Sequence, residues 1–370
     1  MSQIPVKTDP FRVAMAIDTV ADRAADSVAE QLSLMGDGGS IGFVYVTDKL
    51  APAMSDIVQR LILRTGIKDW IGTVGYGVFA GRMAAYDKPA VAAMIGSWPT
   101  DFYQLFDCIP SEDWKLAPDG ALAKAIVHVD PRNRQSDALL RSLSATSGAY
   151  LFGGVTASRG AQFDQVAGLI TDGGASGLLL APEIPMAIGI TQGCSPIGPA
   201  RTITAARDNL IIEIDGESPL HALLNDLYQA GISDLRTLSN SLHAGLLVAN
   251  SDTGDYLVRN LTGIDAERGV IEIAEQVENG QRILFCQRDR ASAETDLTRM
   301  AKQLRGRVDQ VRGALYVSCI ARGPNLFESA NAEIRLLQDA LGDVPLVGFY
   351  ANGEIARDRI YGYTGVLALF

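Results

Sequence analysis

A short buried strand, an amphipathic helix and a second strand ending in small residues recur three times along this chain of 370 residues. The first strands are predicted at residues 42–46, 125–129 and 314–319. The helices are predicted near 54–63, near 134–143 and around Ile334, Leu337 and Leu341. Short, doubly buried strands joined by helices pair in parallel through right-handed crossovers, so the repeat predicts β-α-β units.

The second strand of each copy runs into a glycine-rich segment. These segments are GYG at 75–77, FGGVTAS at 152–158 and GFYANGE at 348–354. Ligands of α/β proteins bind at the carboxyl ends of parallel strands, which is where these segments start. Glycine is also the common residue of tight turns, so a purely structural role is the alternative.

The chain between the copies reads as additional antiparallel strands. We expect residues 176–181 to pair with 185–191, and 245–249 to pair with 256–260. Further strands are predicted at 211–214 and 270–273, and further helices at 10–35, from near His221 and along Leu297, Met300, Ala301, Leu304, Val308 and Val311. The predicted fold class is therefore mixed α/β, with repeated β-α-β units and additional antiparallel strands.

A domain boundary is predicted around residues 216–220, between a strand and a helix. It divides the chain into a helical lead-in at 1–37, a domain at 38–218 and a domain at 219–370. No low-complexity linker separates the two domains, so we expect them to pack tightly together.

The charge balance restricts the class of partner. The net charge is -11 and no Lys/Arg cluster offsets it, which disfavours nucleic acids and anionic membranes. No apolar run approaches the roughly 18 residues of a membrane span, and the first residues lack a secretory pattern. With four cysteines and no C-x-x-C pair, the sequence favours a cytoplasmic protein with reduced thiols.

Four segments together resemble the FIST family, named after F-box and intracellular signal transduction proteins. They are GALYVSCIARGPNLF at 313–327, PLVGFYANGEIA at 345–356, YGYTGVLALF at 361–370, and the long segment 193–224, which is similar to the junction between FIST N-terminal and C-terminal domains. WIGTVGYGV and PAVAAMIGSWP match more loosely, so the resemblance extends over about residues 38–370.

The resemblance implies an intracellular sensory module. FIST domains are thought to bind small ligands, including amino acids and related metabolites, and to work beside histidine kinases or cyclases. No kinase or cyclase segment is visible, so the output would pass to a separate partner protein. Some bacterial members resemble haem proteins that sense nitric oxide, which makes a haem sensor one alternative; a protein-interaction scaffold is another.

An amino-acid-like ligand needs a guanidinium for its carboxylate and a carboxylate for its ammonium group. Arg322 and Glu354 follow neighbouring predicted strands, and Tyr350 and Asn352 could add hydrogen bonds. The alternative is that Arg322 and Glu354 pair with each other. The remaining candidate ligand-binding residues lie in the glycine-rich and FIST-like segments: Gly353, Cys319, Gly154, Thr156, Ser158, Tyr76 and Tyr363.

Catalytic and cofactor sites are weakly indicated. Cys319 and Cys194 each neighbour a serine, and a cysteine-dependent enzyme would need one of them to be activated by a cation and a histidine base. Of three histidines, His128 is the best candidate for an axial haem ligand. GYGVFAG at 75–81 resembles a dinucleotide loop only superficially, and no metal, P-loop or hydrolase motif is present, so we expect no enzyme activity and no cofactor other than haem.

Overall fold

A computed structural model describes residues 10–36, 38–107, 123–232, 238, 241–248 and 255–370. The chain folds into two compact units. The first unit extends to Thr191 and also takes in Asp296–Ile360 and Thr364–Phe370, and the second comprises Gln192–Thr295 and Tyr361–Tyr363. Cys108, one of the four cysteines of the chain, lies outside the described residues.

The described residues form six α-helices and twenty-five strands. The α-helices are α1 (Ala21–Leu34), α2 (Met54–Thr65), α3 (Ser136–Ser147), α4 (Pro219–Gln229), α5 (Arg290–Arg305) and α6 (Ala330–Leu341). The first strands are β1 (Arg12–Ile17), β2 (Ile41–Thr47), β3 (Asp69–Gly75), β4 (Gly77–Ala80), β5 (Met83–Tyr86), β6 (Ala90–Gly96), β7 (Tyr103–Asp107), β8 (Lys124–Val129), β9 (Tyr150–Val155), β10 (Gln165–Ala167), β11 (Leu169–Thr171), β12 (Ala175–Leu180) and β13 (Ala187–Gln192). The later strands are β14 (Cys194–Pro196), β15 (Arg201–Arg207), β16 (Leu210–Ile214), β17 (Leu242–Leu247), β18 (Tyr256–Asp265), β19 (Val270–Ile273), β20 (Arg282–Arg288), β21 (Ala314–Cys319), β22 (Leu346–Ala351), β23 (Glu354–Arg357), β24 (Arg359–Tyr361) and β25 (Thr364–Leu369).

The three predicted β-α-β units are confirmed, and all lie in the first unit. The strand pairs β2–β3, β8–β9 and β21–β22 are parallel, and each is joined by a helix: α2, α3 and α6. Each pair belongs to a different six-stranded sheet. Their strand orders are β1-β6-β2-β3-β10-β11, β24-β23-β9-β8-β12-β7 and β13-β25-β21-β22-β4-β5.

The helices of the β-α-β units bury one apolar face. Met54, Ile57, Val58 and Leu61 of α2 pack in one buried cluster with Trp70 and the strands β2 and β6. Fully burying an aliphatic side chain of this kind contributes about 1.5–3 kcal/mol. The left-handed C-caps Gly66 and Gly148 end α2 and α3, as expected from the absence of a Cβ.

The second unit is built on an antiparallel sheet ordered β14-β20-β15-β16-β19-β18-β17. Helix α4 begins where the sequence predicts it: Ser218 accepts a hydrogen bond from the backbone of His221, and Pro219 occupies the first turn. Leu223 and Leu227 of α4 pack in the buried cluster that the sheet lines. The predicted pairing of β17 with β18 is confirmed, with residue 249 outside the described part.

Two predictions of local structure are wrong. Residues 10–35 are not one helix, because Arg12–Ile17 forms β1, antiparallel to β6. Helix α1 begins at Ala21, and just before it Asp18 accepts a hydrogen bond from the backbone N–H of Val20. Alanine-rich segments satisfy helical and strand periodicity alike, and the available edge of β6 decides between them. Residues 175–180 do not pair with the strand that follows, because β7 and β8 already occupy both edges of β12.

No α-helix among the described residues is both long enough and apolar enough to cross a membrane.

Candidate ligand-binding site

The loop after β21 places Arg322 at the carboxyl end of a parallel strand pair. The backbone N–H of Arg322 donates to the carbonyl of Cys319, the last residue of β21, across 2.8 Å. The neighbouring strand β22 ends at Ala351, and the chain returns through Gly353, at φ 127°, into β23, which begins with Glu354. Arg322 and Glu354 are both fully buried.

Glu333 of α6 is the ionic partner of Arg322. Its Oε1 accepts hydrogen bonds from Arg322 Nε at 2.8 Å, Tyr316 Oη at 2.8 Å and Ser318 Oγ at 2.9 Å. Its Oε2 accepts one from the backbone N–H of Gly323 at 3.0 Å. The Glu333 carboxylate is fully buried and saturated with donors, so it holds Arg322 in one orientation.

The other end of the guanidinium has no such partner. Within the described part of the chain, Arg322 Nη1 and Nη2 are buried and make no hydrogen bond. The guanidinium carbon lies 5.2 Å from the centroid of the Phe327 ring, which contributes a cation–π contact. Burial on its own lowers the pKa of Arg322, but Tyr316, Glu333 and Glu354 more than offset this and hold the pKa above its usual range. Arg322 is therefore a permanent buried cation with two unused donor groups.

Glu354 carries a matching unused acceptor. Its Oε2 accepts hydrogen bonds from Thr364, at 3.1 Å from the backbone nitrogen and 2.7 Å from Oγ1. Its Oε1 is buried and has no nitrogen or oxygen donor among the described residues. Burial raises the pKa of Glu354 to about 8, against the opposing effects of the Thr364 hydrogen bonds, the Arg322 charge and the Cys319 thiol. Because Glu333 already balances Arg322, a protonated Glu354 leaves these three side chains with no net charge.

Two family models together match most of this chain. The FIST N domain model matches residues 40–217, and the FIST C domain model matches residues 219–357. The chain belongs to the FIST family. The resemblance inferred from the sequence is therefore confirmed, with the segment 361–370 beyond the matched residues. FIST domains are sensory domains implicated in signal transduction. The junction between the two models falls at Ser218, the residue that caps α4.

Relatives of this FIST protein occur in mycobacteria. The uncharacterized protein Rv0628c of Mycobacterium tuberculosis is 31% identical over 320 residues, which is 81% of this chain and 83% of the relative. The uncharacterized protein Mb0898c of Mycobacterium bovis is 28% identical over 392 residues, covering 97% of this chain and 99% of the relative.

The structure brings several of the predicted site residues of the FIST protein to the Arg322–Glu354 cluster. Tyr350 is buried, and its hydroxyl donates to the carbonyl of Ala330. Gly154 is the register partner of Glu354 on β9, and a Cβ there would lie 2.6 Å from Val317 Cγ1. The carbonyl of Gly353 accepts from the backbone of Val155 at 2.9 Å.

Other predicted site residues lie apart from the cluster. Thr156 bonds through its hydroxyl to Thr73 at 2.7 Å, and Ser158 accepts from the backbone of Gly160. The side chain of Asn352 is exposed. Tyr363 belongs to the second unit, where its hydroxyl lies 2.5 Å from Asn260 Oδ1 and its ring 4.4 Å from the ring of His243.

Tyr76 is half-buried, and its backbone N–H donates to the carbonyl of Tyr350 at 3.1 Å. Its ring is 5.3 Å from that of Tyr86, and the guanidinium of Arg159 stacks over it at 4.1 Å. Arg159 in turn makes two hydrogen bonds of 2.6 Å to the carboxylate of Asp48 and also pairs with Asp87.

His128, the predicted candidate for a haem ligand, lies in the protein interior. The imidazole is fully buried, with Nε2 3.3 Å from the Tyr45 hydroxyl. Its Nδ1 is buried as well, and the rings of Tyr45 and Phe349 lie 5.6 Å and 5.8 Å away between centroids, so both nitrogens that could ligate haem iron are enclosed by protein. Burial lowers the pKa of His128 to about 3, so the ring is neutral. The surroundings of His128 therefore do not fit a haem.

Two cysteines of the second unit, Cys194 and Cys286, are buried in one apolar cluster with Tyr256 and Val258. A hydrogen bond with Cys194, followed by burial, raises the pKa of the Cys286 thiol. A raised thiol pKa opposes nucleophilic reactivity of Cys286. The predicted candidates Cys194 and Cys319 are both buried, and the activation of either stays a prediction.

Sequence reasoning missed Glu333, although the helix pattern contains the signal. Glu333 lies four residues before Leu337 and directly before Ile334, so it falls on the apolar face of α6. A carboxylate on a buried helix face needs a buried cation, and Arg322 is the cation in the preceding loop. The predicted alternative, a pair between Arg322 and Glu354, is replaced in the structure by the pair between Arg322 and Glu333.

Proposed function

We propose that this FIST protein is a ligand-binding sensory module that recognises a small zwitterionic metabolite, such as an amino acid, at Arg322 and Glu354. The observation that carries the proposal is the set of buried, unused groups at this place: Arg322 Nη1 and Nη2, and Glu354 Oε1. Buried polar atoms of native proteins almost always have a partner, so these three call for one.

The chemistry of the two residues is complementary to an α-amino acid. Glu333 occupies Nε of Arg322, which leaves the two Nη groups as a fork of the geometry that a carboxylate accepts. An ammonium group of the ligand would then donate to Glu354 Oε1. Because a nearby cation favours the ionised form of a carboxyl, binding would draw the proton off Glu354.

The proposal involves recognition without a covalent step. Signal output would pass to a separate protein, such as a histidine kinase or a cyclase, through a change in the loop that carries Arg322. We further propose that the protein works in the cytoplasm, where amino acids and related metabolites are abundant.

A thermal-shift panel tests the proposal. The panel contains the common amino acids, with propionate and ethylamine as analogues of alanine that lack the ammonium group or the carboxylate. We expect at least one amino acid to raise the melting temperature, and both analogues to fail, since each leaves one half of the site without a partner. Binding that survives in Glu354→Gln would contradict the assignment of Glu354, whereas the exposed control Glu267→Gln should bind as the wild type does. A panel with no hit would contradict the proposed ligand class.

A further inference from the structure

Neither Arg322 nor Glu354 has exposed surface in the described structure. Both side chains are fully buried, and Arg322 is covered by its own loop, of which Pro324 and Asn325 form the exposed crest. A ligand that reaches Arg322 must therefore displace part of this cover.

The inner half of the loop is anchored. The backbone N–H of Gly323 donates to Glu333, and Gly323 adopts φ +49°. A Cβ at Gly323 would lie 2.8 Å from the Tyr350 ring, so the backbone is pressed against a buried aromatic side chain. The N–H of Phe327 closes the turn by donating to the carbonyl of Gly323 at 2.7 Å.

The outer half is held by backbone hydrogen bonds from Asn325 to Arg322 and from Leu326 to Gly323, and by side-chain hydrogen bonds nearer the surface. The Tyr86 hydroxyl donates to the carbonyl of Ile320 at 3.2 Å, and Asn325 Nδ2 donates to the same carbonyl at 2.7 Å. Asn325 Nδ2 also lies 3.0 Å from the Tyr86 hydroxyl, which closes a triangle of three groups.

Tyr86 sits where its backbone is held on one side only. It is the last residue of β5, and β5 is the edge strand of its sheet. The next residue, Asp87, has a left-handed φ of 56°, which ends the strand. The Tyr86 ring lies between the rings of Tyr76, at 5.3 Å, and Tyr350, at 5.0 Å. Outward movement of this ring would uncover Tyr350 and the loop above Arg322.

We propose that Tyr86 and Asn325 form a latch that closes the ligand's route to Arg322 and Glu354. The latch opens when the Tyr86–Ile320–Asn325 triangle breaks and the Tyr86 ring leaves the face of Tyr350. Side-chain hydrogen bonds near the surface open at lower free energy than the buried core does, so we expect this part of the cover to yield first. The role in ligand access rests on the proposed function, but the latch can be tested without any ligand.

Cys319 is a built-in reporter of the opening. It precedes the loop, is 6% exposed, and its thiol interacts with Glu354 inside the cluster. The experiment measures the rate of alkylation of Cys319 by iodoacetamide, by peptide mass spectrometry, in the wild type, Tyr86→Phe, Tyr86→Ala and Asn325→Ala. Cys194 and Cys286, buried in the second unit, serve as controls within the same sample.

We expect Tyr86→Ala to speed alkylation of Cys319 by about tenfold or more, because it removes both the hydrogen bond and the ring. Tyr86→Phe and Asn325→Ala, which remove hydrogen bonds alone, should have intermediate rates. Rates at Cys194 and Cys286 should stay unchanged. Unchanged Cys319 rates in all three variants would overturn the latch, and so would an equal rise at all three cysteines, since that would report general unfolding.

The failure of the latch and the failure of the proposed function are distinguishable. If no amino acid shifts the melting temperature but Cys319 responds as predicted, the latch stands and the ligand class is wrong. If an amino acid binds and Cys319 reactivity is the same in wild type and Tyr86→Ala, the latch is wrong and the site stands.

Discussion

Arg322 Nε lies 2.8 Å from Glu333 Oε1, and neither side chain has any exposed surface. The pair joins the loop after β21 to helix α6, which are consecutive parts of one β-α-β unit. A buried ion pair contributes little net stability by itself, but the loss of one partner leaves an uncompensated buried charge. The finding therefore gives Glu333 two roles: it balances Arg322 and it fixes the direction of the unused Nη groups.

The first prediction concerns that balance. Glu333→Ala should lower the free energy of unfolding by about 3–5 kcal/mol, because Arg322 then stays buried without a counter-charge. Urea denaturation followed by circular dichroism measures the change. The double variant Arg322→Met/Glu333→Met should lose less free energy of unfolding than Glu333→Ala, because no charge is then left buried. As a control, Arg23→Ala breaks a surface pair with Asp18 and should change stability little. A double variant less stable than Glu333→Ala would contradict the buried-charge explanation.

The second prediction is a pH dependence of stability from Glu354. Its pKa is about 8 in the folded protein against a reference value of 4.5, so between these values the folded state binds a proton that the unfolded state has lost. The contribution of Glu354 to stability is thus complete below pH 4.5 and is lost as the pH rises through 8, at up to about 1.4 kcal/mol per pH unit. Urea midpoints at pH 5, 6, 7 and 8 should fall more steeply with pH in the wild type than in Glu354→Gln. Parallel curves would show that Glu354 titrates normally.

The third prediction has the opposite sign and comes from His128. Its pKa falls from 6.5 to about 3 on folding, so the unfolded state binds the extra proton between these values. Stability should therefore decrease as the pH falls below 6.5, at up to about 1.4 kcal/mol per unit. His128→Gln should weaken this acid sensitivity, while the exposed His221→Gln should retain it. Equal acid sensitivity in wild type and His128→Gln would contradict the buried neutral imidazole.

The fourth prediction tests the close approach of β9 to the strands that carry the site. An alanine Cβ at Gly154 would lie 2.6 Å from Val317 Cγ1 and 2.9 Å from Ala351 Cβ. Gly154→Ala should cost about 1–3 kcal/mol of stability through overpacking. At Gly306 the nearest atoms to a new Cβ are at 3.6 Å and 3.8 Å, so Gly306→Ala is the matched control. Equal melting temperatures for the two variants would contradict the tight packing at Gly154.

The parts of the fold that were predictable from sequence are those with local signals. The strand Ala314–Cys319 and its parallel partner are apolar throughout and are separated by a periodic helix, so pattern and structure agree. Strand β1 could not be predicted, because its partner β6 is more than seventy residues away in sequence and the local pattern fits a helix equally well. Pairing of β12 with β7 and β8 is likewise decided by which sheet edges are available.

The residue types of the candidate site were predictable from the sequence, but its hydrogen-bond and ion-pair partners were predictable only in part. Arg322 and Glu354 stand out because each follows a strand of the same β-α-β unit. Glu333 was missed although its place on the apolar face of α6 signals a buried partner, whereas the pairing of Glu354 with Thr364 depends on how β25 lies against β23, which no sequence spacing specifies. The place of Tyr363 was not predictable either. Residues Tyr361–Tyr363 belong to the second unit, whereas the chain from Thr364 onward belongs to the first.

The most direct test of ligand recognition is a crystal structure of the protein soaked with the amino acid that gives the largest thermal shift. The proposal predicts electron density for one ligand, with its carboxylate on Arg322 Nη1 and Nη2 and its ammonium group on Glu354 Oε1. Ligand density elsewhere, with Arg322 and Glu354 contacting only protein and water, would contradict it.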